Sequence, residues 1–334
     1  MSHSATILGG IAGAELTSAE RDFFRSADPW GFILFGRNVA DPEQLRRLTG
    51  DLRDAVGRDA VITIDQEGGR VQRMRAPHWA EWVPPLDQAG AGERAMWLRY
   101  RLIGAELRAV GIDSDCAPTL DVAQADTHPF LRNRCLGEDP ATVARLGRAV
   151  ADGLLAAGVL PVMKHMPGHG RAVADSHKDL PTVTASLQDL DAVDFAPFRA
   201  LADLPMAMTA HIRFAALDDA PATASAKMVG IIRDRIGFGG LLMSDDITMN
   251  ALPGSHAERA AATIAAGCDL VLHCNATIAQ MELVVAAAGA MGTDATRRAD
   301  AALAMRHAPD AVDQAALMAE YRELVPQAAG SAIA

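Results

Sequence analysis

Asp245 and Asp246 close the apolar run "GGLLMSDDITM". A carboxylate at the end of a buried strand can attack an electrophilic carbon and carry a covalent intermediate. Neighbouring side chains of an extended strand point to opposite faces, so the two acids cannot both follow the strand's inward set. Asp245 reads equally as nucleophile or as structural acid, while Asp246 reads more naturally as an N-cap for the next segment. Asp65 closes a second apolar run, "VITIDQEGGRVQRM", where Gly68 and Gly69 make a tight turn before Arg70 and Arg73. A carboxylate beside guanidinium groups can grip sugar hydroxyls or an acidic group, or form a plain structural ion pair.

The stretch "KHMPGHG", Lys164 to Gly170, places two histidines four apart. That is the spacing of a zinc pair on a helix, but Pro167, Gly168 and Gly170 break a helix there and the glutamate of HExxH is missing. Lys164 and His165 come directly off the run "VLPVM" and are placed as hydrogen-bonding groups at a strand end. Beyond them "RAVADSHKDLP" has no apolar period and reads as a loop. Within it, Asp175 and His177 stand two apart. A carboxylate can orient an imidazole and favour its protonated form, which is acid/base machinery; a chance surface pair has the same spacing. Arg132 and Arg134 of "HPFLRNRCLGEDP" form a third candidate loop, in which one arginine could reach a pocket or both could be solvated.

Other chemistries lack their signatures. There is no GxxxxGK or GxGxxG phosphate loop, and no GxSxG elbow for a serine nucleophile. The four cysteines, Cys116, Cys135, Cys268 and Cys274, include no CxxC pair and read as small buried thiols.

Elements of a regular kind must position these residues. Eight short apolar runs recur, "ATILGG", "GFILFGRN", "VITIDQEGG", "IDSDCAPTLDV", "VLPVMKHMPGHG", "PMAMTAHI", "GLLMSDDI" and "CDLVLHCN". Continuous apolar runs suit strands buried on both faces. Alanine-rich amphipathic stretches lie between them, such as "DPEQLRRLTGDLRDAV" and "DPATVARLGRAVADGLLAAG". Eight strand–helix units predict an α/β fold, a (β/α)8 barrel, ahead of a doubly wound open sheet. Asp65, Asp121, Lys164, His165, His211, Asp245 and Asp246 all follow strand ends, which is the rim where barrel enzymes keep their active sites. The expectation is one domain over residues 1–334, with closing helices at about 291–326.

The bulk numbers agree with a soluble chain. Half of the 334 residues are apolar, only 4% are aromatic, and the formal charge is −11. Nucleic acid and anionic membranes are therefore poor partners. No basic segment leads into an apolar signal run, and no stretch reaches the length of a membrane span, so a cytoplasmic monomer is expected.

Together "DQEGGRVQR", "RCLGEDP", "KHMPGHG", "DSHKDLP", "MTAHI" and "SDDITM" resemble, in order and spacing, the glycoside hydrolase family 3 β-N-acetylglucosaminidases (β-hexosaminidases) of the single-barrel bacterial type. The resemblance covers Asp65 to Met249, more than half the chain. It implies a (β/α)8 barrel, no metal and no cofactor, and a retaining mechanism. It puts the nucleophile on Asp245 and the acid/base on His177, with Asp175 as dyad partner. It puts sugar binding on Asp65, Arg73, Arg134, Lys164 and His165. The segment departs from the family pattern around its arginines, and position relative to "GEDP" favours Arg134 over Arg132. Relatives acting on glucosides usually carry a further domain and lack DSH, so retention of DSH points to N-acetylhexosaminides. The implied substrate is an N-acetylglucosamine-containing muropeptide or chitooligosaccharide, and the implied role is peptidoglycan recycling.

Overall fold

The computed structural model describes residues 3–174, 176 and 178–326. All eight apolar runs form strands: β1 (Ser4–Leu8), β2 (Pro29–Leu34), β3 (Val61–Ile64), β4 (Ser114–Asp115), β5 (Leu160–Met166), β6 (Met206–Thr209), β7 (Leu241–Asp246) and β8 (Leu270–His273). They pair in parallel in chain order, and β8 returns to β1 in the register Thr6–Val271, Ile7–Leu272, Leu8–His273. Closure leaves no sheet edge, and the right-handed strand–helix–strand connection makes sequential neighbours adjacent. The expected (β/α)8 barrel is the observed one. β4 is the shortest of the eight strands.

Side chains alternate as a strand's period of two requires. Phe32, Leu34, Ile62 and Ile64 pack outward with Leu45, Leu48 and Leu52 of the helix Pro42–Val56. Leu160, Val162, Met206, Met208, Leu241 and Met243 gather in a separate cluster shared by strands from around the ring. Each fully buried leucine or methionine contributes roughly 1.5–3 kcal/mol of hydrophobic stabilisation.

Several of the helices begin at side chains that cap them. Thr17 and Glu20 form a capping box on α1 (Ser18–Ala27). Asp41 accepts from the amides of Glu43 and Gln44 on α2 (Pro42–Val56), and Gly57 ends that helix in the left-handed conformation at φ 66°. α3 (Gly92–Ala109) lies against α4 (Pro140–Ala156), whose N-cap Asp139 accepts from Thr142 N. Replacing Asp139 by alanine would cost about 1 kcal/mol. The next connections are shorter, α5 (Ala196–Ala200) and α6 (Ala226–Gly230), before α7 (His256–Ala266) and α8 (Ile278–Ala288).

The closing segment forms two helices, α9 (Thr293–Ala304) and α10 (Gln314–Leu324). α10 is tied inward: Tyr321 donates to Gln88 Oε1 at 2.7 Å, and the buried Arg99 donates to the same oxygen at 2.7 Å. Arg99 Nη2 also donates to the Glu67 carbonyl at 2.5 Å, so the last helix braces the turn that carries Glu67. All four cysteines are buried free thiols. Among the described residues no helix is long and apolar enough to cross a membrane.

Candidate active site

A cavity of about 360 Å³ opens over the carboxyl ends of the strands. Asp65, Arg73, Arg134, Lys164, His165, Asp245 and Asp246 all line it. Two local irregularities bring neighbouring side chains to the same opening. The β5–β6 ladder holds one extra residue on β5 between Met163 and Met166, and the β7–β8 ladder one extra on β7 between Met243 and Asp246. An inserted residue breaks the strict alternation and re-aims side chains. This is how Lys164 and His165, and likewise Asp245 and Asp246, face one cavity although they are sequential.

The glycines of the motifs are required by close approach. Gly68 has φ 105°, and a Cβ there would lie 1.9 Å from Arg99 Nη2. A Cβ on Gly170 would lie 2.0 Å from the Val122 carbonyl oxygen. Both glycines let a cavity-lining turn press against its support.

One wall is an alternating chain of charges. Lys164 Nζ lies 3.0 Å from Asp65 Oδ1 and 2.5 Å from Glu67 Oε1. Arg73 Nη2 donates to Asp65 Oδ2 at 3.0 Å. Arg134 grips Glu67 with two parallel bonds, Nε to Oε2 at 2.9 Å and Nη2 to Oε1 at 2.8 Å. Arg134 Nη2 also sits 3.4 Å from His165 Nε2. A guanidinium only donates, so Nε2 accepts and His165 Nδ1 carries the proton it gives to Asp121 Oδ2 at 2.7 Å. Asp121 Oδ1 accepts from the amides of His165 and His169 at 3.2 and 2.7 Å.

Electrostatics within this wall are matched. Burial alone would raise Asp65 and Glu67, but the cations beside them win. Lys164 and Arg73 hold Asp65 well below the usual carboxylate range, and Arg134 with Lys164 brings Glu67 down to about 2. Burial would lower Lys164 and Arg134, yet the facing carboxylates raise both. Beneath them, burial pushes the Asp115 carboxyl up to about 7. The wall therefore presents fixed charges and fixed donors that substrate need not reorganise.

Asp245 Oδ1 accepts from the Asp246 amide at 2.8 Å. Asp246 is not the helix N-cap its position suggests. Its Oδ1 accepts from Thr248 N at 3.0 Å and Cys274 N at 3.1 Å, and its Oδ2 from Thr248 Oγ1 at 2.7 Å, so it braces the turn after β7 against β8. Ser244 has a similar role, its Oγ accepting from Leu272 N at 2.9 Å.

The remaining candidates separate. Arg134 is buried in the cavity wall, whereas Arg132 pairs with Glu138 outside it. Arg70 lines the mouth and donates to the Phe130 carbonyl. His165 and His169 stack edge to face at 5.7 Å between centroids, but His165 has both nitrogens engaged. Among the described residues no three side chains are grouped to hold a metal. His169 is buried against the cavity with neither ring nitrogen partnered among the described residues, and burial, then His165, bring it down to about 4. Asp175 and His177 lie outside the described residues; Ser176 between them in sequence is buried and lines the cavity.

For two members of the wall the sequence assigns no role. Glu67 reads there as part of a glycine turn, and Asp121 only as one more acid at a strand end. The signal available for Glu67 is charge balance, since Lys164 and Arg134 need more anions than Asp65 supplies.

Residues 17–304 match the glycosyl hydrolase family 3 N-terminal domain. A β-hexosaminidase of Bordetella avium is 38% identical over 80% of this chain and 80% of its own. One of Methylococcus capsulatus is 36% identical over 94% of this chain and 96% of its own. The structure is also similar to NagZ of Neisseria gonorrhoeae, native and in complex with N-trifluoroacetyl-D-glucosamine. Both superpose with a TM-score of 0.82 at 31% identity over 99% of this chain, covering 100% and 99% of those chains. With a family match over most of its length and relatives of this identity and coverage, the chain belongs to glycosyl hydrolase family 3.

Proposed function

We propose that this glycoside hydrolase, a β-N-acetylhexosaminidase, removes terminal non-reducing β-linked N-acetylglucosamine with retention of configuration through a glycosyl ester on Asp245. The observation that carries the reading is Asp245 at the end of β7, across one cavity from the Asp65, Arg73, Arg134, Lys164 and His165 wall. A carboxylate facing a set of oriented donors is what attack on a hydrogen-bonded sugar requires.

In the proposed reaction Asp65, Arg73, Arg134, Lys164 and His165 hold the hydroxyls of the terminal sugar. Asp245 attacks the anomeric carbon as His177, oriented by Asp175, gives its proton to the departing oxygen. In the second half His177 takes a proton from water, and water displaces Asp245 on the same face that the leaving group left. A neutral imidazole base adds no second negative charge near Asp245. Ser176, the residue between Asp175 and His177, lines the same cavity, which supports delivery of the dyad there. The complex of a structurally similar NagZ with an N-acylated glucosamine supports an N-acetylglucosamine-type substrate.

The physiological substrate proposed is a muropeptide in cytoplasmic peptidoglycan recycling, acted on by a monomer without a cofactor. Assay of 4-nitrophenyl N-acetyl-β-glucosaminide beside 4-nitrophenyl β-glucoside tests the specificity. A preference for the first supports the reading, and a preference for the second assigns the barrel to glucosides.

A further inference from the structure

His211 lies just beyond β6 and is fully buried, outside the cavity lining. Its Nε2 lies 3.0 Å from the Asp246 carbonyl oxygen and its Nδ1 lies 2.8 Å from Thr223 Oγ1. A carbonyl only accepts, so Nε2 carries a proton. Burial lowers the pKa of this ring, which favours the neutral form, with Nδ1 as the acceptor. The Thr223 hydroxyl has a single hydrogen and two candidate acceptors, Nδ1 at 2.8 Å and the Ala210 carbonyl at 3.1 Å. The neutral ring assigns that hydrogen to Nδ1. Thr209 Oγ1, 2.8 Å from Thr223 Oγ1, then donates to it, and a chain runs Thr209, Thr223, His211, Asp246.

Asp246 is thereby fixed at every polar atom. Its carbonyl accepts from His211 and, at 3.1 Å, from the Met249 amide, and its carboxylate is held by Thr248 and the Cys274 amide. Its remaining group, the amide N–H, is the one that donates to Asp245 Oδ1 at 2.8 Å. We propose that His211 is a positioning residue for the nucleophile: it acts through the Asp246 backbone to fix the amide that orients the Asp245 carboxylate for attack.

The proposal rests on the glycosidase reading and makes a separate prediction. The donor that holds Asp245 Oδ1 also stabilises the carboxylate when it departs from the glycosyl ester. Both half-reactions therefore use the clamp, whereas sugar binding does not touch it.

The test compares full-length wild type, His211→Ala, His211→Gln, Thr223→Val and Asp245→Ala on 4-nitrophenyl N-acetyl-β-glucosaminide, with folding checked by circular dichroism and thermal melting. A glutamine amide can donate to the Asp246 carbonyl and accept from Thr223, so His211→Gln is the conservative rescue. The expected result is kcat lowered about 10- to 100-fold in His211→Ala with KM nearly unchanged, and most of the loss recovered in His211→Gln. Thr223→Val, which removes the partner of Nδ1 and leaves only the Nε2 bond, falls between them. Wild-type kcat in folded His211→Ala, a loss confined to KM, or a folded His211→Gln as impaired as His211→Ala overturns the proposal. If His211→Ala does not fold, near-wild-type kcat in His211→Gln with a lowered kcat in Thr223→Val supports it, and any other pairing overturns it. An inactive wild type, or an active Asp245→Ala, defeats the glycosidase reading instead and is recognised before His211 is judged.

Discussion

Glu67 and Arg134 meet as a buried two-pronged ion pair, with bonds of 2.8 and 2.9 Å between planar groups. Glu67 is 1% exposed, and Lys164 Nζ stands 2.5 Å from the same Oε1. One carboxylate thus fixes two of the cations proposed to hold the sugar. Removing it leaves two buried positive charges underpaired, a change that typically costs about 3–5 kcal/mol. Glu67→Ala should melt well below wild type and show a raised KM, while Glu67→Gln, which keeps an acceptor for Arg134, should lose less on both counts. Differential scanning calorimetry and steady-state kinetics check this.

The same pair sets an acid limit. Glu67 titrates near 2 in the folded protein against an ordinary value of 4.5, so the folded state binds its proton less readily. Its contribution is fully present above the unfolded value and is lost as pH falls from about 4.5 towards 2. Urea midpoints at pH 5 and pH 3 should therefore fall more steeply in wild type than in Glu67→Gln. Parallel slopes would show that Glu67 is not a source of the acid sensitivity.

Acid catalysis by His177 makes its own prediction. His177→Ala should harm substrates with poor leaving groups, such as a second sugar, far more than activated aryl substrates, because only the former need a proton on departure. Asp175→Asn should move activity in the same direction by a smaller factor. Equal losses on both substrate types would argue against a general acid.

Metal dependence separates this reading from the one suggested by two histidines four apart. His165 already spends Nδ1 on Asp121 and Nε2 on Arg134. Dialysis against EDTA should leave activity unchanged; loss restored by zinc would return the metal reading.

The barrel was legible because its strands are buried on both faces. Runs such as "VITI", "LPVM" and "LLMS" have no polar alternation to confuse with a surface strand, and their helices carry cap residues such as Asp41 and Asp139. Asp65, Lys164, His165 and Asp245 were legible because each sits at a strand end. What the sequence hid is set by tertiary contact. The inserted residues on β5 and β7, which let adjacent side chains share a cavity, leave no local mark because the partner strand defines them. Glu67 was hidden by its glycine turn, and Asp246 by a turn that resembles a helix start. Position relative to "GEDP" already favours Arg134 over Arg132, and burial sets the two apart in the fold.

The central claim is that Asp245 carries the sugar. The direct measurement is incubation with a 5-fluoro N-acetylglucosaminyl fluoride, which slows ester hydrolysis, then peptide mass spectrometry. The account predicts one added sugar per chain, on the peptide containing Asp245, with no labelling and turnover lowered by about 10³-fold or more in Asp245→Ala. A label on another residue, or near-normal turnover in Asp245→Ala, would contradict it.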